Sequence, residues 1–251
     1  MKKLVIAIGI LGTMSASSLF ATTTYAFLNS RAAGQNSDVW GGNPEDISPY
    51  GGSVGSSITG GAGNSAVKLF CDDFADGVAY NSGWQVNVTT VNAADLTNTR
   101  YGAANLNPSY PSGTTLYEEI AWLFTQTVQV TQTVANQNAI GEAVWTMTGS
   151  GTPTASALSL QWISLAQSDY NHTVAGYATP DYTRWLILTD PAAKANTGGT
   201  GKQEMLAYYT AGGLPQVTAS SPTPEPGTCV LGGLGFLAAG YFGRRRKGSG
   251  R

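Results

Sequence analysis

The sequence predicts an α+β domain: an antiparallel sheet or small β-barrel with a three-helix insertion, flanked by an N-terminal signal peptide and a C-terminal membrane helix. Three observations predict it. Residues 84–91, Trp-Gln-Val-Asn-Val-Thr-Thr-Val, alternate apolar and polar side chains and are rich in β-branched types, the pattern of a half-buried strand. Leu116, Ile120, Leu123 and Phe124 then recur at helical spacing, the first of three such stretches. The chain returns to strand-like runs at 182–189 and 203–209, so helices are segregated from strands instead of alternating with them.

At the amino end, Met1-Lys2-Lys3 precedes an apolar run at 4–11 and small polar residues down to Thr24-Tyr25-Ala26. A cationic start, a short apolar core and a small-residue end describe a secretory signal peptide over 1–26. Signal peptidase is expected to cut after Ala26, with Ala21 as the alternative. Residues 27–65 are rich in Gly, Ser and Asn, including Gly41-Gly42-Asn43-Pro44 and Gly60-Gly61-Ala62-Gly63, a composition that reads as loop or linker. Spaced apolar residues within 47–58 leave room there for an edge strand or hairpin.

The main domain is expected over 66–213. Val67-Lys68-Leu69-Phe70-Cys71 reads as a strand, separated from the Trp84 strand by turn chemistry at Asp76-Gly77 and Asn81-Ser82-Gly83. The first helix should begin at a Thr114 or Thr115 cap, with Thr115 to Glu118 as a capping box and Glu118 and Glu119 in its first turn, where the dipole favours negative charge. A second helix is predicted over about 136–147, burying Ile140, Val144 and Met147. A third, from about Thr154 to Asn171-His172, carries Leu158, Trp162 and Leu165. The strand at 182–189 stops at Asp190-Pro191, and the last strand, 203–209, runs out before Gly212-Gly213.

Charge separates the domain from its ends. The net charge is -2, but seven of the 13 basic residues lie in the terminal segments. Residues 27–223 keep 6 basic against 14 acidic, and this acidic cargo argues against nucleic acid as a partner. Of the two cysteines, Cys229 lies in the apolar tail, so Cys71 has no disulfide partner in the cargo. The tail is a Pro-rich linker at 214–227, an apolar membrane segment at 228–243 and a basic cytoplasmic end at 244–251. Sixteen residues span about 24 Å as a helix, short of a ~30 Å hydrocarbon core. Basic residues at both ends of the chain put both ends in the cytoplasm and the cargo across the membrane.

This tail resembles the PEP-CTERM sorting signal of Gram-negative bacteria. Pro224-Glu225-Pro226 matches its motif, the apolar segment its span, and Arg244-Arg245-Arg246 its basic end. The resemblance implies export across the inner membrane, transient anchoring, recognition by the membrane peptidase exosortase, and a destination at the cell surface or in the extracellular matrix. The cargo is similar to a group of proteins bearing this tail, through Cys71-Asp72-Asp73-Phe74, Trp84, Tyr117-Glu118-Glu119-Ile120-Ala121-Trp122-Leu123, Ala143-Val144-Trp145 and Gln203-Glu204-Met205. A strand-borne cysteine followed by a helical motif ending in tryptophan is also distantly similar to the thioester domains of bacterial surface adhesins. There a Cys thiolate and a Gln side chain condense with loss of ammonia into an electrophile for amines. Counting back from Trp145, the glutamine position of that helical motif is Gly141. Gln137, one helical turn earlier, is the candidate partner of Cys71, and Gln126 lies on the preceding helix.

Other chemistry is thinner. Asp72, Asp73 and Asp76 form the acidic cluster that a calcium ion would use, though their spacing fits no EF-hand loop, and turn capping also explains them. Glu118 and Glu119 diverge by about 100° on a helix and do not face each other as a glycosidase pair. His172, the one histidine, has no Gly-x-Ser-x-Gly or His-Glu-x-x-His context. Six tryptophans and 12 tyrosines suit core packing first and sugar stacking second. The sequence thus leads to a non-enzymatic exported protein, structural or adhesive within extracellular polysaccharide, with no cofactor. The alternative is a thioester-like or ligand-binding module using Cys71, and the third reading is a secreted hydrolase.

Overall fold

Period-two alternation in the strands and 3.6-residue periodicity between them build the observed architecture. The structure, a computed structural model, describes residues 23–33, 35, 37–40, 43–46, 48–74, 76–102, 114–149, 155–192 and 201–210. Its strands are β1 (Thr24–Leu28), β2 (Ser37–Trp40), β3 (Asn43–Asp46), β4 (Tyr50–Gly55), β5 (Asn64–Cys71), β6 (Ser82–Thr90), β7 (Trp185–Thr189) and β8 (Met205–Tyr208). Its helices are α1 (Thr114–Gln129), α2 (Val134–Thr148) and α3 (Ala157–Asp169), all between β6 and β7. Six strands close into an antiparallel barrel in the order β1-β4-β5-β8-β7-β6, and β2 and β3 pair separately. The predicted sheet is therefore a closed barrel, and the three-helix insertion is where the sequence placed it.

Alternation divides the core in two. One cluster takes residues from all six barrel strands, among them Ala26, Tyr50, Leu69, Cys71, Trp84, Leu188 and Met205. With so few strands the interior is narrow enough to be filled by side chains. The second cluster joins the other faces of β5, β7 and β8, through Phe70, Trp185, Ile187, Leu206 and Tyr208, to the three helices. β7 and β8 are buried along their whole length because both of their faces are covered, which explains why they read as continuous apolar runs.

The Gly-rich region is where the sequence expectation departs most. Far from a linker, it supplies the end of β1, all of β2, β3 and β4, and the start of β5. β4 is an interior barrel strand, paired to both β1 and β5. Glycine is there for close approach: a Cβ at Gly52 would overlap the Leu69 side chain and the Phe27 carbonyl. Gly60, Gly61 and Gly63 carry φ of 71, 82 and 88° in the turn between β4 and β5.

Ala26, the expected cleavage point, lies in the middle of β1, opposite Val54 on one side and Trp84 on the other, and is wholly buried. A small residue that suits a signal peptidase also suits a tight barrel interior, so composition alone did not separate the two.

The helices start and stop for local reasons. Thr133 caps α2 by accepting from Asn136 N at 3.2 Å, Gly149 ends it in the left-handed region, and Ser156 caps α3. α1 already includes Thr114, so Glu118 and Glu119 fall in its second turn, beyond the reach of a first-turn dipole. Glu119 instead turns inward, and burial, helped by the charge of Glu118, pushes its carboxyl up to about 7. The third helix and the two late strands begin two to three residues later than expected. Among the described residues no helix is long and apolar enough to cross a membrane. The expected signal peptide up to residue 22 and the linker, membrane segment and basic end lie outside the described residues.

Candidate functional site

Two dipeptides at the adjoining ends of neighbouring antiparallel strands build the site. Cys71 ends β5, and its register partner Met205 begins β8. Because side chains alternate along a strand, Cys71 and Gln203 project to the barrel side while Asp72 and Glu204 project to the helix side. The two faces carry different chemistry.

On the barrel side, Gln203 Nε2 lies 2.5 Å from Cys71 Sγ and also donates to the Asp73 carbonyl. The thiol donates to that same carbonyl at 3.1 Å, and the Trp145 indole N–H, reaching in from α2, donates to Sγ at 3.4 Å. The amide carbon is one bond of about 1.3 Å from Nε2, which puts it within about 3.8 Å of the sulfur. Ser48 Oγ accepts from the Cys71 backbone N–H at 3.0 Å and anchors the strand end. Burial, reinforced by the charge of Asp73, pushes the Cys71 thiol well up; the Trp145 hydrogen bond pulls the other way. The sulfur therefore rests as a protonated thiol.

A cavity of about 360 Å³ opens onto Cys71 and Gln203. Phe74 and Trp145 form one wall, with ring centroids 5.1 Å apart, and Tyr50 and Tyr80 another, at 6.3 Å. Asp46 lines the cavity too, bound by Arg31 at 2.6 Å and by the Tyr80 hydroxyl at 2.8 Å.

On the helix side, Glu204 accepts from Arg100 N at 2.8 Å, from Tyr117 OH at 2.5 Å and from the Thr189 hydroxyl. Asp72 is wholly buried beside it, and neither of its oxygens is within hydrogen-bonding geometry of a donor. Burial first, then the neighbouring Glu204 and Asp73 carboxyls, raise the Asp72 carboxyl well above the usual carboxylate range. Burial raises Glu204 as well, against the hydrogen bonds from Thr189, Tyr117, the Arg100 backbone and the neighbouring Asp72 carboxyl, which pull it down.

A stability prediction follows. The folded chain holds the Asp72 proton to a higher pH than the unfolded chain, whose aspartates titrate near ~3.9. Stability is then fullest below that value and falls as pH rises toward the folded value. Asp72→Asn, whose amide can donate to Glu204, should raise the melting temperature at pH 7 and flatten the pH profile; a lower melting temperature at both pH 4 and pH 7 would contradict this.

The acidic cluster is not assembled around a shared cation position. Arg100, itself buried, binds both Asp73 and Asp76 through one guanidinium nitrogen, while Asp72 turns the opposite way. Among the described residues no group of three acidic, His or Cys side chains is arranged to hold a metal ion. Gln137 is also displaced from its expected role. It sits in the first turn of α2, eight residues before Trp145, about 12 Å along the helix axis from the tryptophan that touches the sulfur. The glutamine at Cys71 is Gln203. His172 is exposed beyond α3, with Nδ1 3.2 Å from the Ser168 carbonyl. Trp122, Trp145 and Trp162 are buried, as their helical positions implied.

Sequence reasoning missed Gln203 and Arg100. The signal for Gln203 was available: a cysteine at the end of one strand and a glutamine just before another become neighbours if those strands pair antiparallel. Arg100 had a weaker signal, as one of six basic residues facing 14 acids in 27–223.

Comparison with known proteins bears on the tail. No curated protein and no solved structure matches the chain. The PEP-CTERM protein-sorting motif matches residues 222–247, a span that contains Pro224-Glu225-Pro226, the apolar segment and Arg244-Arg245-Arg246. The chain thus carries a PEP-CTERM sorting tail, which indicates export, transient anchoring in the membrane and processing by the membrane protease exosortase before surface or extracellular release.

Proposed function

We propose that the exported domain is an adhesion module that attaches covalently, through an internal thioester between Cys71 and Gln203. The observation that carries this reading is the Gln203 side-chain amide held against Cys71 Sγ at 2.5 Å. Sγ attacks the Gln203 amide carbon, the C–N bond breaks, and the thiol proton leaves with the amide nitrogen as ammonia. The Asp73 carbonyl accepts from both thiol and amide, so it orients the leaving nitrogen and the attacking sulfur together. The Trp145 N–H is aimed at the sulfur, where it stabilises negative charge as the proton is lost. A primary amine entering the cavity then attacks the thioester carbon, forms an amide to residue 203 and returns Cys71 as a thiol. This is stoichiometric capture without turnover, which suits a structural or adhesive role in extracellular polymer.

Intact mass of the released protein tests it. The expected mass is about 17 Da below that of the processed sequence, and methylamine should add about 31 Da to that species. An unshifted mass together with ready alkylation of Cys71 would overturn the reading.

The same proposal specifies processing. β1 pairs with both β4 and β6 and so closes the barrel. Cleavage after Ala26 would leave only Phe27 and Leu28 of it and expose two sheet edges. Cleavage after Ala21 leaves the strand whole. The amino-terminal peptide of the mature protein should begin at Thr22; a start at Phe27 would contradict this.

A further inference from the structure

Away from Cys71, the helical layer carries an open groove of about 490 Å³, between the α1–α2 connection, one face of α3 and the segment before β7. Its polar lining among the described residues comes from Gln132, Asn136 and Gln161, and its aromatic lining from Trp162 and Tyr177; no carboxylate, ammonium or guanidinium is among them. That is notable in a cargo with 14 acidic residues.

The groove is built, not incidental. Gln126 fixes the Tyr177 segment by exchanging two hydrogen bonds with the Ala178 backbone, each 2.9 Å. Tyr177 packs against Trp122 and Trp162 with ring centroids 5.5 and 6.2 Å apart. Asn136 Nδ2 donates to Gln132 Oε1 at 2.9 Å, which orients both amides. That leaves the Asn136 carbonyl and the exposed Gln161 amide available to a ligand. The Trp162 indole N–H is buried without a partner in the same wall.

We infer that this groove binds an uncharged glycan chain. Side-chain amides offer a donor and an acceptor on one planar group, which matches neighbouring sugar hydroxyls. Aromatic rings present an apolar face to sugar C–H groups beside a polar edge. The absence of charged lining disfavours phosphate, carboxylate and cationic ligands, which need ionic partners when desolvated. Asn136 lies at the start of α2 and Trp145 near its end, about 13 Å along the helix axis, so the groove is separate from the thioester site and does not depend on it.

The test uses the exported chain carrying Cys71→Ser, which removes covalent capture. The probe is extracellular polysaccharide from the producing cells, deproteinised and split by anion exchange into neutral and acidic fractions. Affinity electrophoresis should show retardation by the neutral fraction. Gln161→Ala and Asn136→Ala, both at the groove rim, should each weaken it about tenfold, the equivalent of one hydrogen bond. No retardation by the neutral fraction, retardation by the acidic fraction alone, or retardation unchanged in both variants would overturn the inference. So would association that requires a protein component in place of the polymer.

Discussion

Gln203→Ala should abolish both the mass deficit of about 17 Da and the methylamine adduct, while Gln137→Ala leaves both intact. The contrast follows from topology. Gln203 stands next to the start of β8, whose first residue is in register with Cys71, and its amide meets the sulfur. Gln137 belongs to the far end of α2, and the residue that α2 brings to the sulfur is Trp145. Cys71→Ser should abolish the same two signals without unfolding the chain, since the hydroxyl can still donate to the Asp73 carbonyl. The measurement is intact mass before and after methylamine, on all four proteins. Loss of the deficit in Gln137→Ala with retention in Gln203→Ala would reverse the assignment.

Arg100→Met should be the most destabilising single change at the site. The Arg100 side chain is 1% exposed and binds two carboxylates that are themselves buried. Removing one partner of a buried ion pair leaves charge without compensation and typically costs about 3–5 kcal/mol. Against a total stability of about 5–15 kcal/mol for a domain, that is enough to shift a urea midpoint severely or prevent accumulation. The backbone N–H of the same residue donates to Glu204, so Arg100 connects both faces of the site. Arg100→Lys should be milder for stability, yet a single ammonium cannot reproduce the planar guanidinium. In that variant the Asp73 carbonyl loses its placement, and the fraction carrying the mass deficit should fall in a protein that still folds. A midpoint unchanged in Arg100→Met would show that the ion pairs contribute little.

Glu119 illustrates how a correct residue type led to an incorrect role. Acidic residues near a helix start are so often explained by the dipole that the sequence places Glu118 and Glu119 in the first turn. The helix begins early enough to push them into the second, where position on the helix face, not the dipole, governs them. Glu119 points into the core and shifts to about 7, whereas Glu118 stays half-buried. The Gly-rich stretch misled in a similar way. Glycine is common in linkers and also where backbones approach closely, and only the neighbours Leu69 and Phe27 reveal which applies at Gly52.

What the sequence determined by itself was local and linear. The α+β class, the three helices, the strands at Cys71 and Trp84 and the sorting tail are periodicities or motifs read within short windows, where each residue's preference depends on near neighbours. Tertiary structure decided closure and partnership. Whether the strands close, that residues 24–26 lie in β1, and that Cys71 meets Gln203 and Asp73 meets Arg100 depend on contacts between separate elements, the last two between residues 132 and 27 apart in the chain. Strand pairing and register set those meetings, and no spacing in the sequence encodes them.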